Sequence, residues 1–302
     1  MTTTGTDAAA QGVTPVLSIR DLTIGIGRRK ALKPIVTGIS LELTPGRIQG
    51  LAGESGSGKT VSSLAVLGLL PANAVVGGSI KLAGSDSGAR GATELIGMGR
   101  RQLNAIRGNR IAMIFQDPSS SLHPQLTIGS QLTDHVRKHL KFSKAEARVH
   151  ALGLLERVRV PNPEDALGRY PHQFSGGQRQ RIAIAIALAC DPVVLLADEP
   201  TTALDVTVQA GILHLLRDLA DERQLAVLLV THDLGVMSAI ADDVAVMRHG
   251  AIVESGTRQQ IFGDPQHEYT RELLASLPSA PTPGPTEPVI APPRELSIED
   301  MV

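Results

Sequence analysis

The sequence predicts an α/β fold whose central sheet carries a phosphate-binding loop at the carboxyl ends of its strands. Three observations lead there. The apolar run Ile48 to Ala52 is followed directly by Gly53-Glu54-Ser55-Gly56-Ser57-Gly58-Lys59-Thr60 and then by the apolar stretch Val61 to Leu70, the order strand, glycine loop, helix. Short apolar runs at Val193 to Ala197 and Leu225 to Val230 alternate with helical spacing at Val208, Ile212, Leu215, Leu216 and Leu219. That alternation is the pattern of a parallel sheet with its ligand at the carboxyl edge. Finally, Val244 to Met247 and Ile252 to Glu254 flank His249-Gly250, a hairpin with which the sheet ends.

Taken in order, residues 1 to 15 read as a flexible leader without periodicity. Val16 to Ile26, Ile35 to Leu43 and Gly78 to Leu82 read as strands, the first two in a small antiparallel sheet leading to the glycine-loop strand. The polar stretch Gly84 to Thr93 reads as a surface insertion, followed by a helical pattern ending near Arg107. Arg110 to Phe115 is an apolar strand that runs into Gln116-Asp117-Pro118. Helical spacing then recurs over Leu126 to Leu140, Lys144 to Arg159 and Asp165 to Tyr170, with Ser143 and Glu146 placed as a capping pair. A helical subdomain is therefore expected over about 118–175. Residues 16–277 form the main domain, closed by a helical C-terminal extension over about 257–277. The proline-rich segment 278–302 is expected to be extended or disordered.

Composition narrows the chemistry. With 302 residues, 42% hydrophobic, the chain has ample material for a packed core. A formal net charge of -1 gives no electrostatic reason to expect a nucleic-acid partner. The single cysteine, Cys190, lies in an apolar run and reads as a small core residue of a protein in a reducing compartment. Met1 to Pro15 shows no secretory signal, and the apolar run Ile182 to Cys190 is too short to span a bilayer. The chain is expected in the cytoplasm, with any membrane association supplied by a partner.

The spacing G-x-x-x-x-G-K-T is that of a P-loop. Its glycines let backbone N–H groups wrap phosphate oxygens, Lys59 reaches the β and γ phosphates, and the Thr60 hydroxyl takes a place on Mg²⁺. The helix behind it aims its positive end at the same anion. Downstream, the run Val193-Val194-Leu195-Leu196-Ala197 ends in Asp198-Glu199. One carboxylate there can hold Mg²⁺ through water and the next can polarise an attacking water, as phosphoryl transfer requires. Read alone, Ser175-Gly176-Gly177 is an ordinary helix start, Gln116 a polar strand end, and a histidine after a strand, like His232, more often structural.

The order of Phe174-Ser175-Gly176-Gly177-Gln178-Arg179-Gln180-Arg181, Val193 to Pro200, Ala203-Leu204-Asp205 and Thr231-His232-Asp233 behind the P-loop resembles the ATP-binding subunits of ABC transporters. The resemblance runs from about Val16 to Leu277. It implies a P-loop ATPase with a mixed central sheet, a small antiparallel β subdomain and an inserted α-helical subdomain, binding ATP and Mg²⁺. By the same resemblance Gln116 senses Mg²⁺ and the attacking water, Glu199 is the catalytic carboxylate, and His232 contacts the γ-phosphate. Asp198 and Thr60 serve the metal; Ser175, Gly176, Gly177, Gln178 and Asp205 close on nucleotide held by an opposing subunit.

Further segments are similar to the dipeptide, oligopeptide and nickel importer ATPases: Ile114-Phe115-Gln116-Asp117-Pro118, Tyr170-Pro171-His172-Gln173-Phe174, Gly250 to Gly256, and His267-Glu268-Tyr269-Thr270-Arg271-Glu272-Leu273-Leu274. This likeness implies a peripheral subunit on the cytoplasmic face of the cell membrane. Its expected partners are two membrane-spanning permeases, a second, non-identical ATPase and, indirectly, an extracytoplasmic solute-binding protein. Peptide import is the leading reading, with nickel or another small solute as the alternative. A soluble ABC ATPase fits less well, because no heptads and no second cassette are present, and a small-molecule kinase leaves Ser175 to Gln178 and His232 unexplained. Ile26 departs from the family, which usually places an aromatic ring there to stack on adenine, and the C-terminal cysteines of some oligopeptide-type members are missing.

Overall fold

In the computed structural model, residues 14–28, 31–84, 91–202 and 204–276 are described. The leader up to residue 13, the centre of the polar insertion, Ala203 and the proline-rich tail lie outside them. Strands β1 (Leu17–Arg28) and β2 (Ala31–Leu43) pair antiparallel. Next come β3 (Ile48–Ala52) and helix α1 (Lys59–Val66), separated by the glycine loop. Then β4 (Ala74–Leu82), β5 (Thr93–Glu94) and α2 (Arg100–Ile106) lead to β6 (Ile111–Ile114). A run of helices follows: α3 (Pro118–Ser121), α4 (Ile128–Leu140), α5 (Lys144–Arg157) and α6 (Pro163–Gly168), then a 3-10 turn over Pro171–Gln173 and α7 (Gly176–Leu188). The chain returns through β7 (Val194–Asp198), α8 (Val206–Arg223), β8 (Ala226–Val230), α9 (Leu234–Ile240), β9 (Asp243–Arg248) and β10 (Ala251–Thr257), and the described part closes with α10 (Arg258–Gly263) and α11 (Glu268–Ala275).

Two sheets result. The smaller has the order β2-β1-β4-β5 and is antiparallel throughout. The larger has the order β10-β9-β3-β8-β7-β6; its inner pairs are parallel, and only β10 runs against its neighbour, so the sheet is mixed. Its central strands β7 and β8 read as apolar runs because both faces are covered. In β7, Leu195 and Ala197 face the core shared with the helices, while Val194 and Leu196 face the core shared with the small sheet and α1. The same alternation divides Val227 and Leu229 from Ala226, Leu228 and Val230 in β8.

The observed β4 begins four residues before the expected Gly78. Gly78 serves a bulge. Asp21 of β1 has φ 48. Its carbonyl oxygen would stand 2.4 Å from a Cβ at position 78. The pairing register shifts between Arg20 and Thr23, so Gly78, with φ +92, lets the strand continue past the bulge. Helix α9 has no counterpart in the sequence reading; Asp233 caps it, accepting from Gly235 N–H and Val236 N–H.

Polar contacts fix the start of the P-loop strand. Asp242 Oδ2 accepts from the Ile48 N–H at 2.8 Å and from Arg217 of α8 at 2.8 Å, and Arg47 donates to Asp243. Cys190 is buried, and burial pushes its thiol up to about 11, so it is an unreactive core residue. Among the described residues no helix is long and apolar enough to cross a membrane.

Candidate active site

The strand order sets the site. β3, β8, β7 and β6 are consecutive neighbours and parallel. Their carboxyl ends therefore lie side by side and carry, in that order, the P-loop, His232, Asp198-Glu199 and Gln116. Four segments widely separated in sequence meet on one edge.

The P-loop needs its first glycine. Gly53 has φ +143, and a Cβ there would stand 2.1 Å from the Met247 carbonyl oxygen of β9. Ser57, Gly58 and Lys59 are buried, whereas Glu54, Ser55, Gly56 and Thr60 are exposed. The Lys59 ammonium donates to the carbonyls of Gly53 at 2.7 Å and Glu54 at 2.8 Å. Burial pulls this ammonium below its ordinary value, against the pull of Glu199, Asp198 and Glu54. The Ser57 hydroxyl is buried without a protein partner. An ammonium on backbone carbonyls, a buried hydroxyl without a protein partner and the start of a helix together suit an anion such as phosphate.

Thr60 Oγ1 donates to Asp198 Oδ1 at 3.1 Å. Asp198 is buried, and burial, with Glu199 adding to it, raises its carboxyl above the ordinary range despite Thr60 and Lys59. A hydroxyl and a carboxylate side by side are hard oxygen donors suited to Mg²⁺, which typically takes one or two carboxylates and fills its octahedron with water and substrate phosphates. Among the described residues there is no cluster of three or more His, Cys, Asp or Glu able to hold a metal ion. The pair is thus a fit for a cation that arrives with its phosphates.

Glu199 is the centre of the polar cluster. Its N–H donates to the Val230 carbonyl of β8 at 2.8 Å, and its φ is 47, in the left-handed region. Such a backbone costs a non-glycine residue about 1 kcal/mol or more and persists where surroundings over-determine it. Three side chains hold the carboxylate: Gln116 Nε2 donates to Oε2 at 2.8 Å, Thr202 Oγ1 donates to the same oxygen at 3.0 Å, and His232 Nδ1 lies 2.8 Å from Oε1. Sequence reasoning missed Thr202. The only signal was its position three residues after Glu199.

The remaining predicted residues stand apart. Among the described residues, no hydrogen bond links Ser175 to Gln178, or Asp205, to the P-loop. Ser175 caps α7, its hydroxyl accepting from Gln178 N–H at 3.3 Å while the Gln178 side chain accepts from Ser175 N–H at 3.0 Å. Asp205 caps α8 through Val208 N–H at 2.9 Å. The two helix starts touch: a Cβ on Gly176 would lie 3.8 Å from Leu204, and one on Gly177 2.5 Å from Val208. This second polar edge exposes Ser175 and Asp205. A second residue that sequence reasoning missed is Tyr269 of α11, whose hydroxyl accepts from the Glu54 N–H at 3.2 Å.

Comparison with known proteins gives the family. Residues 36–202 match the family described as ABC transporter. The chain is 47% identical over 271 residues to the peptidoglycan transport ATP-binding protein YejF of Agrobacterium fabrum, covering 89% of this chain and 48% of that protein. It therefore spans about half the length of that relative. It is 44% identical over 277 residues to the oligopeptide transport ATP-binding protein OppD of Bacillus subtilis, covering 91% of this chain and 75% of that one. Among solved structures, the dimeric post-hydrolysis state of the ATP-binding cassette MJ0796 bound to ADP and Pi superposes with a TM-score of 0.68. It is 26% identical and covers 80% of this chain and 98% of that one. The chain belongs to the ABC transporter family and is one of its ATP-binding proteins.

Proposed function

We propose that this chain is the ATP-hydrolysing subunit of a transporter that imports peptides of the dipeptide or oligopeptide type. Residues 16–277 form its ATP-binding unit, docked beneath two membrane-spanning permeases on the cytoplasmic face. The observation that carries this reading is the Glu199 carboxylate, set in a left-handed backbone and held by side chains from two neighbouring strand ends, next to a P-loop whose lysine is parked on its own backbone. The names of the relatives supply the peptide class.

The chain's own residues divide the work. Phosphate oxygens draw the Lys59 ammonium off the Gly53 and Glu54 carbonyls, and the amides of Gly56 to Thr60 with the free Ser57 hydroxyl wrap the rest. Thr60 and Asp198 would hold Mg²⁺, which would neutralise charge on the transferring phosphate. Glu199 orients a water in line with the γ-phosphate and takes its proton. Gln116 and Thr202 take the acceptor positions of Oε2 while His232 faces Oε1, which keeps a further position for the water; Gln116 or His232 letting go would open the carboxylate further. Ser175, Gly176, Gly177, Gln178 and Asp205, on their separate edge, complete the site of an opposing ATPase subunit. An extracytoplasmic binding protein delivers the solute to the permeases.

The test is Glu199→Gln in the full chain. ATP binding is expected to persist while turnover falls by about 10² to 10⁴, the usual worth of a general base. Hydrolysis at the wild-type rate would remove the assignment.

A further inference from the structure

The motif His267 to Leu274 lies far along the chain from the P-loop, yet one of its side chains enters it. The Gly53–Glu54 peptide group is held on both sides: its carbonyl accepts from Lys59 Nζ at 2.7 Å, and its N–H donates to Tyr269 Oη at 3.2 Å. The next carbonyl, that of Glu54, accepts from Lys59 at 2.8 Å and from Ser57 N–H at 3.2 Å. When Lys59 leaves for phosphate, the lysine contacts to both carbonyls go, and the tyrosine hydroxyl remains as the tether on the first peptide of the loop.

We propose that Tyr269 is a positioning residue of the nucleotide site, fixing the Gly53–Glu54 peptide so that Lys59 can leave it without the loop losing its phosphate-ready shape. The proposal rests on the reading of the P-loop as the ATP site. Tyr269 is only 2% exposed, and its ring lies under the Arg248 guanidinium, 4.4 Å from centroid to Cζ. A buried phenol requires hydrogen-bond partners, and here Glu54 supplies them: its N–H donates to the hydroxyl, and its side-chain carboxylate also interacts with the phenol. Burial also raises the phenol above its ordinary range, so the hydroxyl stays protonated.

The approach of α11 is itself built. Glu254 of β10 accepts from Gln266 N–H at 2.7 Å and His267 N–H at 3.1 Å, and His267 Nδ1 accepts from Tyr269 N–H at 3.1 Å. Arg248 and Glu254 belong to the β9–β10 hairpin, whose turn residue Gly250 donates its N–H to the Ser57 carbonyl at 3.0 Å. One C-terminal unit therefore grips the P-loop at both ends, at Glu54 through Tyr269 and at Ser57 through Gly250.

Tyr269→Phe in the full chain, which keeps the ring and removes the hydroxyl, tests this. The dissociation constant for ATP is expected to rise about 3- to 10-fold, the worth of one net hydrogen bond, with the loss falling on KM and not on kcat. A structural role alone would move thermal stability and leave affinity untouched well below the melting temperature. ATP affinity equal to wild type in the folded variant overturns the proposal. Lys59→Ala separates the two readings: if it binds ATP normally, the site assignment itself fails, whereas loss there with no effect at Tyr269 removes only the tyrosine's role. Should the variant fold poorly, hydrogen exchange in the wild-type chain decides. The Glu54 amide is expected to stay protected when ATP is added, and rapid exchange at that amide in either state contradicts the tether.

Discussion

At the scale of single residues, the site stores its polar groups on one another. Lys59 sits on two carbonyls, Thr60 on Asp198, and Gln116, Thr202 and His232 on Glu199. Burial acts on the charged pair at the centre from both sides, lowering the Lys59 ammonium and raising the Asp198 carboxyl. Both shifts have burial as their largest cause. Base recognition is a separate matter. Ile26, half-buried in β1 between Lys33 and Ala74, offers apolar contact where stacking on a ring would contribute roughly 1 to 3 kcal/mol. Affinities for ATP and GTP, measured by competition with a fluorescent analogue, are therefore expected to lie within a hundredfold of each other. A larger ratio would mean that another ring, such as the exposed Phe115 or one from a partner, stacks on adenine.

At the scale of elements, caps and glycine positions determine where helices and strands begin. Ser143 and Glu146 form the reciprocal capping box of α5, with the Ser143 N–H to Glu146 distance 2.8 Å and the return bond 3.3 Å. Ser143→Ala is expected to cost about 1 kcal/mol. For a domain of this size that lowers the melting temperature by about 2 to 4 °C, with ATP turnover unchanged. An unaltered melting temperature would mean the cap is dispensable. This box was legible because its two members are three residues apart and precede a helical pattern. The P-loop strand, β7 and β8 were legible for a similar reason: burial on both faces turns a strand into an unbroken apolar run. What escaped depends on contacts distant in sequence. The first half of β4 does not read as strand because its glycine answers a bulge in β1, and Tyr269 reads as an ordinary helix residue because its contact with Glu54 spans most of the chain. Gln116 and His232 could be placed by motif, but their shared hold on Glu199 follows from the order β8-β7-β6, which no local pattern encodes.

At the scale of the whole molecule, the chain presents two polar groups that no hydrogen bond joins among the described residues. One holds Lys59, Glu199 and His232; the other holds Ser175 to Gln178 and Asp205. A solved cassette of similar fold is dimeric and bound to ADP and Pi. For this chain the partner is proposed to be a related but different ATPase. Co-purification from the native membrane is expected to recover the two in equal amounts with two permeases, and a transporter with two copies of this chain alone would refute that pairing. The most direct measurement is uptake of a labelled dipeptide or oligopeptide by native cells in which the chain carries Glu199→Gln. Uptake is expected to fall to background while the variant remains associated with the membrane fraction. Uptake at the wild-type rate, with the variant as the sole copy present, would contradict the claim that ATP hydrolysis at Glu199 drives peptide import.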